Sequence, residues 1–253
     1  MIENPLLLWA IVGSASGAIL GLAGTGGGVI SIPLLMTLGG YDVKTASAYG
    51  LLSLSVGAAL NWVFHRQNTL YPVTAVLIVV AGVIAYLTVP LKTMTPEWIV
   101  ILLLNLTCLF SLYSLWILRR PDDQGEERSL VYRLRTSAIG GVLTGVLSTM
   151  TGLGGGVVII PWLTGITRLS FSQALACSLL TISIIAPLSA WRQLDINLTP
   201  GAWLSLIGGV CLTSFLVKKG IAYIPVGRMT VIHKLSLTGV ICYSMGRTLW
   251  ALF

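Results

Sequence analysis

The sequence predicts an all-α membrane protein made of two copies of one module in inverted orientation. Each copy is a broken, re-entrant helical hairpin followed by three transmembrane helices. Three observations predict this fold. The chain is strongly apolar, its charged residues leave long uncharged runs, and its first half matches its second half at one constant offset.

Composition places the chain in a membrane. Of its 253 residues, 55% are hydrophobic and 9% are charged, with a mean hydropathy of +0.91, whereas average proteins carry about 25% charged residues. A transmembrane helix needs about 20 apolar residues, and seven runs without Asp, Glu, Lys or Arg reach that length: 4–41, 45–65, 67–91, 98–118, 136–167, 169–191 and 196–217. The first and fifth runs are too long for one straight span, so each must be broken.

An internal repeat locates these breaks. At the offset that places Gly26 on Gly154, called the repeat offset below, the run 26–29 (Gly-Gly-Gly-Val) matches 154–157, and Pro33 matches Pro161. Apolar composition gives chance matches, but it does not give two glycine-rich runs that are each followed by proline at the same distance. We therefore expect a first repeat at 1–118, a cytoplasmic linker at 119–135 and a second repeat at 136–253.

Each copy is predicted to contain five helices. A first helix (about 5–22 and 136–150) precedes the glycine-rich break, and a short helix (about 28–39 and 156–166) follows it. Three spans complete each copy: about 44–64, 70–90 and 97–118 in the first, and 171–191, 199–217 and 229–251 in the second.

Basic residues predict the topology, because cytoplasmic loops are enriched in Lys and Arg. If each broken pair is a hairpin and the Arg-rich linker is inside, five more basic residues are also inside: Arg66, Arg168, Lys218, Lys219 and Arg228. A kinked single span would move the last four of them outside. The hairpin is therefore favoured, which inverts the second copy and places both termini outside. Lys44, Lys92 and Arg192 then fall in outer loops.

The two breaks have a specific chemistry. Irregular backbone at membrane depth is tolerated only where it is buried in protein or lines a watery cavity. A helix that begins there presents free amide groups and the positive end of its dipole to an anion, as in many secondary transporters. The alternative is that the glycines only permit close helix packing. The predicted binding residues are Thr25, Gly26, Gly27, Gly28, Leu153, Gly154, Gly155 and Gly156.

Polar side chains on the following spans are further candidates. Ser53 and Asn61 share one face of the span that also carries Gly50 and Gly57, since residues three to four apart lie together on a helix. In the second copy, Ser178 and Thr181 occupy the corresponding region. These four donors are predicted to contact the anion; the alternative is hydrogen bonding between helices. Cys177, beside this face, is a weaker candidate donor to a sulfur anion.

What the sequence lacks also restricts the function. All eight acidic residues fall in termini or loops, which argues against a cation carrier or a carboxylate proton relay. His65, His233, Lys234 and Arg247 either pair with an anion or extend to the membrane interface. We expect no catalytic residue, metal, cofactor or nucleic-acid partner. The expected partners are a small anion and the lipid bilayer.

The glycine-rich motif resembles that of a known family. The run 24–28 (Gly-Thr-Gly-Gly-Gly), followed by Ile-Pro-Leu-Leu at 32–35 and Thr-Ala-Ser-Ala at 45–48, is similar to the signature of the sulfite exporter TauE/SafE family, also called the toluene sulfonate uptake permeases. The run 152–156 with Pro161 is similar as well, although Leu153 replaces Thr25. The resemblance covers the whole chain and implies a transporter of sulfite, sulfonates or sulfoacetate, often an exporter, in the bacterial or archaeal cytoplasmic membrane. Sulfur is implied by the resemblance alone.

The sequence thus predicts a secondary transporter of a small sulfur-containing anion. A channel-like anion pathway, a membrane-embedded enzyme and a non-transporting membrane partner protein are the alternatives. The substrate, the direction of transport, the coupling ion and the oligomeric state, a homodimer included, stay open.

Overall fold

The computed structural model describes residues 4–23, 27–116, 128–193 and 199–221, with separate helical residues at 238–239, 241–243, 245–246 and 248. Every regular element in these ranges is helical. The helices are α1 (Pro5–Ala23), α2 (Gly28–Leu38), α3 (Val43–His65), α4 (Tyr71–Met94), α5 (Glu97–Trp116), α6 (Leu130–Thr151), α7 (Gly156–Gly165), α8 (Phe171–Trp191) and α9 (Pro200–Ile221), with a short 3-10 turn at Arg66–Asn68. The all-α prediction is confirmed.

The helix bounds follow the repeat found in the sequence. The repeat offset places residue 28, where α2 begins, on residue 156, where α7 begins, and residue 43, where α3 begins, on residue 171, where α8 begins. The helices α1 and α4 correspond in the same way to α6 and α9. The packing repeats as well, because α1 packs on α9 and α4 packs on α6, while α3 and α8 pack on each other.

Each broken pair forms a hairpin with antiparallel arms. In the second copy, the Trp162 indole N–H donates to the Thr136 carbonyl at 2.8 Å, and the Tyr132 hydroxyl donates to the Ile166 carbonyl at 3.3 Å. The end of α7 therefore lies beside the beginning of α6. In the first copy, the rings of Trp9 and Tyr41 are 6.3 Å apart. Since Tyr41 follows α2 by three residues, the end of α2 lies beside the beginning of α1.

The contacts between the copies fix the directions of the longer helices. A Cβ atom added at Gly141 would lie 3.1 Å from Val80 Cβ, and one at Gly145 would lie 2.8 Å from Ile84 Cβ, so α6 runs parallel to α4. The Lys44 ammonium donates to the Thr93 carbonyl at 3.0 Å, which joins the beginning of α3 to the end of α4. These two helices are therefore antiparallel.

The direction of α1 follows from its contacts with α3. The rings of Trp9 and Tyr49 are 4.9 Å apart, and a Cβ atom added at Gly57 would lie 3.8 Å from Leu20 Cγ. Hence α1 runs parallel to α3 and opposite to α4 and α6. Opposite directions for α1 and its counterpart α6 are what an inverted repeat requires. The inversion, the domain limits and the sides of the membrane remain predictions.

The exposed surface suits a lipid environment. Within the described residues, four helical stretches are long and apolar enough to cross a membrane: Val43–Asn68, Tyr71–Met94, Phe171–Trp191 and Pro200–Val217. Large apolar side chains on α4 and α5 face outward, among them Val79, Leu87 and Leu102 at 64%, 61% and 49% exposure. In contrast, α3 and α8 are largely enclosed by the other helices. The core therefore lies between α3, α8 and the two hairpins.

Three boundaries differ from the predictions by four residues or more, one of them the end of α9, which lies at Ile221 and not at 217. The helix α6 begins at Leu130, because the Ser129 side chain accepts a hydrogen bond from the Tyr132 amide; the end of the predicted linker is therefore helical. The helix α4 continues past Pro90 to Met94, so Lys92 is not in an outer loop. Most of the predicted span at 229–251 and most of the linker lie outside the described residues.

Candidate functional site

The break in the second copy has a backbone that requires glycine. The φ angles of Gly152, Gly154 and Gly155 are +76°, +73° and +74°, in the left-handed region where only glycine is free of a steric penalty. A Cβ atom at Gly154 would overlap the Leu54 side chain, and one at Gly155 would lie 2.6 Å from Thr144 Cγ2. The predicted break is real, and its glycines also permit close packing.

The break runs from near one end of the bundle to its middle. A Cβ atom at Gly152 would lie 2.7 Å from Ser47 Cα, and Ser47 is in the second turn of α3. Gly154 contacts Leu54, the central residue of α3, and would contact Ile182, one residue past the centre of α8, at 3.5 Å. Seven residues of α3 separate these two levels, which is about 10 Å. The N-terminus of α7 is therefore at mid-height.

The two breaks are in contact with each other. A Cβ atom at Gly28, the first residue of α2, would lie 2.8 Å from the Gly152 carbonyl oxygen and 3.2 Å from Leu153 Cα. All of Gly27, Gly28 and residues 152–156 are buried. The structure thus brings together six of the predicted site residues, Gly27, Gly28, Leu153, Gly154, Gly155 and Gly156. Thr25 and Gly26 lie outside the described residues.

Corresponding residues make corresponding contacts in the two copies. Gly27 and Gly155 are equivalent at the repeat offset, and both precede the first residue of a short helix. A Cβ atom at Gly27 would overlap Ser16, and one at Gly155 would meet Thr144. Since Ser16 and Thr144 are also equivalent at this offset, one local arrangement occurs twice.

Neither short helix has a side-chain cap. Gly27 and Gly155 occupy the N-cap positions of α2 and α7, and among the described residues no side chain accepts a hydrogen bond from the first turn of either helix. The first amide groups of a helix have no acceptor within the helix. In a buried position these donors and the helix dipole favour a negative group. The two helix N-termini therefore form a suitable environment for an anion.

Buried hydroxyl groups without a hydrogen-bond partner surround this region. The predicted site residues Ser53 and Ser178 are both 0% exposed, and their hydroxyls have no described partner. Ser53 precedes Leu54, which contacts Gly154. A buried hydroxyl without a partner costs about 1–3 kcal/mol. The presence of these hydroxyls is therefore consistent with a ligand that forms the missing hydrogen bonds. Sequence reasoning missed three further hydroxyls in this state, those of Ser16, Thr144 and Ser148.

The other two predicted donors have partners in their own helices. The Asn61 amide N–H donates to the Gly57 carbonyl at 2.9 Å, and the Thr181 hydroxyl donates to the Cys177 carbonyl at 2.7 Å. Cys177 Sγ lies 4.0 Å from the Leu70 carbonyl, towards the end of the bundle, and His65 Nδ1 is 2.9 Å from the Asn61 carbonyl. These side chains are thus engaged in local hydrogen bonds. His233, Lys234 and Arg247 lie outside the described residues.

Sequence reasoning also missed Lys92. Its side chain is 2% exposed, whereas the other described Lys and Arg side chains are at least partly exposed. The ammonium group donates to the Ser47 hydroxyl and, at 2.6 Å, to Gln193 Oε1. The sequence signal was weak, because Lys92 directly follows an uncharged run and resembles a loop residue.

Comparison with known proteins finds one family model and two curated relatives. The model of the sulfite exporter TauE/SafE family matches residues 9–244. A probable membrane transporter protein from Xylella fastidiosa strain Temecula1 is 28% identical over 208 residues, 78% of each chain. One of the same description from strain 9a5c is 29% identical over 177 residues, 67% of each chain. No solved structure matches the chain.

Proposed function

This chain belongs to the sulfite exporter TauE/SafE family, and we propose that it exports small sulfur-containing anions such as sulfite or organosulfonates by secondary transport. The family and the relatives make it a multi-pass membrane transporter rather than an enzyme. In the proposal, the anion lies near mid-height between the N-termini of α2 and α7. The choice of sulfur follows the family description, and the choice of an anion follows the chemistry of the helix N-termini.

The observation that carries the proposal is that two breaks with uncapped, buried helix N-termini touch each other, at Gly28 in the first break and Gly152 in the second. A Cβ atom added at Gly28 would lie only 2.8 Å from the Gly152 carbonyl oxygen. An anion between the N-termini of α2 and α7 would receive amide hydrogens from both copies. Charge-assisted hydrogen bonds of this kind are roughly twice as strong as neutral ones. The hydroxyls of Ser53 and Ser178 would complete the coordination shell.

The helix directions support alternating access by an inverted repeat. Since α1 runs opposite to its counterpart α6, and each packs against a helix of the other copy, the copies are interlocked by equivalent surfaces. Movement of one copy against the other would then open the central region to either side in turn. In this proposal the breaks stay near the centre while access changes.

The basic residues support the proposed orientation in the cytoplasmic membrane. One end of the bundle carries seven described Lys and Arg residues: Arg66, Arg128, Arg133, Arg135, Arg168, Lys218 and Lys219. The opposite end carries three: Lys44, Lys92 and Arg192. By the positive-inside tendency, the first end would face the cytoplasm and the chain would begin outside.

Flux measurements in proteoliposomes test this function. We expect saturable transport of sulfite, thiosulfate or a sulfonate, with stimulation by unlabelled anion on the opposite side. Flux without saturation or counterflow would instead indicate a channel-like pathway. Absence of flux for every sulfur oxyanion would refute the proposal and would favour a non-transporting membrane partner.

Thermal stabilisation identifies the ligand independently of flux. A ligand that binds only the folded state stabilises it by about 2.7 kcal/mol at a concentration of 100 times Kd. Purified protein in detergent should therefore show a concentration-dependent rise in Tm with the transported anion. Chloride at equal ionic strength is the control. Equal effects of chloride and every sulfur anion would contradict a specific site.

A further inference from the structure

We propose that Lys92, held by Ser47 and Gln193, is a second anion-binding site at the entrance to the break and selects for anions of higher charge. This inference rests on the proposed transport function and extends it, because it assigns a cationic ligand outside the two helix N-termini. It also makes the pathway asymmetric, although the scaffold is built from two similar copies.

The burial of Lys92 is costly and needs a compensating interaction. Moving an ammonium group out of water costs several kcal/mol even after relaxation of the protein. Among the residues that the structure describes, no carboxylate forms an ion pair with Lys92; its acceptors are the neutral groups of Ser47 and Gln193. Neutral acceptors compensate the charge only in part, so an anion has a strong electrostatic reason to bind here.

The geometry around Lys92 is organised in advance. The Ser47 hydroxyl donates to the Lys44 carbonyl at 2.8 Å, which leaves its oxygen free to accept from Lys92. The Gln193 amide N–H donates to the Ser189 carbonyl at 3.0 Å, which directs Oε1 towards the ammonium group. An ammonium group has three N–H donors, and the two described acceptors use two. The third is available for a ligand.

Lys92 is adjacent to the break. Its acceptor Ser47 is the residue that Gly152 touches, with only 2.7 Å between an added Cβ and Ser47 Cα. From Gly152 the break continues to Gly154, which contacts Leu54 at mid-height. This level is about 10 Å further along α3. An anion held by Lys92 would therefore stand at the outer end of the segment that leads to the helix N-termini.

The second copy has no equivalent of this cluster. At the repeat offset, Ser47 corresponds to Leu175 and Lys92 to Gly220. Gln193 corresponds in the same way to His65, whose Nδ1 faces the Asn61 carbonyl. A purely structural function in the repeated scaffold would be expected in both copies. The single occurrence instead fits a function that distinguishes one end of the pathway from the other.

Equilibrium binding to Lys92→Gln protein tests the inference, with thiosulfate as a divalent probe and methanesulfonate as a monovalent probe. Glutamine keeps hydrogen-bonding capacity and removes the charge. Loss of a charge-assisted hydrogen bond should raise the Kd for thiosulfate roughly 10- to 100-fold. The Kd for methanesulfonate should rise severalfold less. Lys92→Arg should recover part of the preference for thiosulfate.

The change in preference separates ligand binding from a structural role. Damage to the fold would raise the Kd of both probes by the same factor and would lower the Tm measured without ligand. Arg192→Met is the matched control, because this arginine lies at the same end of the bundle, is exposed, and donates to the Tyr86 carbonyl rather than to the Lys92 cluster. It should change either Kd by no more than about twofold, since solvent screens its charge.

Three results would overturn the inference. The first is an unchanged ratio of the two Kd values in Lys92→Gln protein. The second is an equal effect of Arg192→Met. The third is wild-type binding by the double variant Lys92→Gln with Asp195→Asn, because Lys92 would then only balance an acid near Gln193 in the sequence. Failure of wild-type protein to bind either probe would instead refute the proposed function.

Discussion

The helices of this protein begin in two different ways. At the ends of the bundle, α3, α6 and α8 begin with side-chain caps: Asp42, Ser129 and Ser170 accept hydrogen bonds from backbone amides at 3.0, 3.4 and 3.3 Å. At mid-height, α2 and α7 begin with glycines that offer no side-chain acceptor. The two helix N-termini inside the bundle thus lack side-chain caps; α4, at the end of the bundle, also lacks one, but Pro72 in its first turn has no N–H to satisfy.

This difference has a physical meaning. A capping side chain satisfies the first-turn amides permanently and occupies the place of any external acceptor. Glycine leaves the amides available, which is costly in a buried position unless a ligand binds. We therefore interpret the end caps as contributions to stability and the uncapped N-termini as contributions to binding. Each prediction below tests whether a substitution changes stability and anion binding independently.

The largest effect is expected at the glycines that precede the short helices. Gly155→Val places a branched side chain at a φ of +74°, which costs roughly 1–3 kcal/mol in strain and adds an overlap with Thr144. Gly27→Val overlaps Ser16 at an ordinary φ of −66°. Both variants should insert into the membrane and lose anion binding, as measured by equilibrium binding to purified protein.

A glycine in open space provides the control for these variants. A Cβ atom at Gly208 in α9 would meet no atom within 4 Å, so Gly208→Val should bind with wild-type affinity. If Gly27→Val and Gly155→Val also retained wild-type affinity, the helix N-termini would not be the binding site.

Opposite effects on binding and stability are expected at the unpartnered hydroxyls. Ser53→Ala and Ser178→Ala each remove a buried hydroxyl, which should raise the free energy of unfolding by about 1 kcal/mol. They should also weaken anion binding about 2- to 10-fold, since each removes one neutral hydrogen bond. Parallel denaturation and binding measurements give both quantities.

Ser55→Ala is the matched control, because the Ser55 hydroxyl already donates to the Leu52 carbonyl at 2.7 Å. It should leave the Kd unchanged. If Ser53→Ala and Ser178→Ala gained stability without any loss of affinity, their hydroxyls would not contact the ligand.

Removal of an end cap should affect stability alone. Ser170 and Gln173 form a reciprocal capping box at the beginning of α8. Ser170→Ala should lower the free energy of unfolding by about 1 kcal/mol and leave the Kd of the folded protein unchanged. Ser170→Asp, which retains an acceptor, should restore most of the loss. A large increase in Kd for Ser170→Ala would contradict the separation.

The smallest effect is expected from protonation of Asp42. Burial raises the pKa of this carboxyl, but hydrogen bonds from Thr45 and from the backbone of Asp42 and Lys44 together outweigh burial, and the net pKa lies below the usual 3.8. A lowered pKa means that the ionised cap stabilises the fold above about pH 4 and that this contribution is lost as pH falls through the folded value. Asp42→Asn should reduce that acid-dependent loss in a pH series of unfolding midpoints; an unchanged series would exclude Asp42 as its source.

Most of the fold was predictable because membrane helices follow strong local rules. The uncharged runs predicted the bounds of α8 without error and those of α3 within one residue, since a charge at either end marks the interface. The charge rule failed at Lys92, where a buried lysine continues α4 beyond Pro90. It failed there because the acceptors for the ammonium group come from α3 and from residues just after α8, which sequence distance does not reveal.

The sequence by itself determined the helical class, the duplication and the position of both glycine breaks, because each depends on composition or on local conformational freedom. Only the tertiary structure decided that Gly28 meets Gly152, that Ser53 and Ser178 have no hydrogen-bond partner among the described residues, and that Lys92 is buried against Ser47. These features depend on which surfaces of distant helices come together. Packing therefore brings two local interruptions of helices together, as the proposed shared site requires.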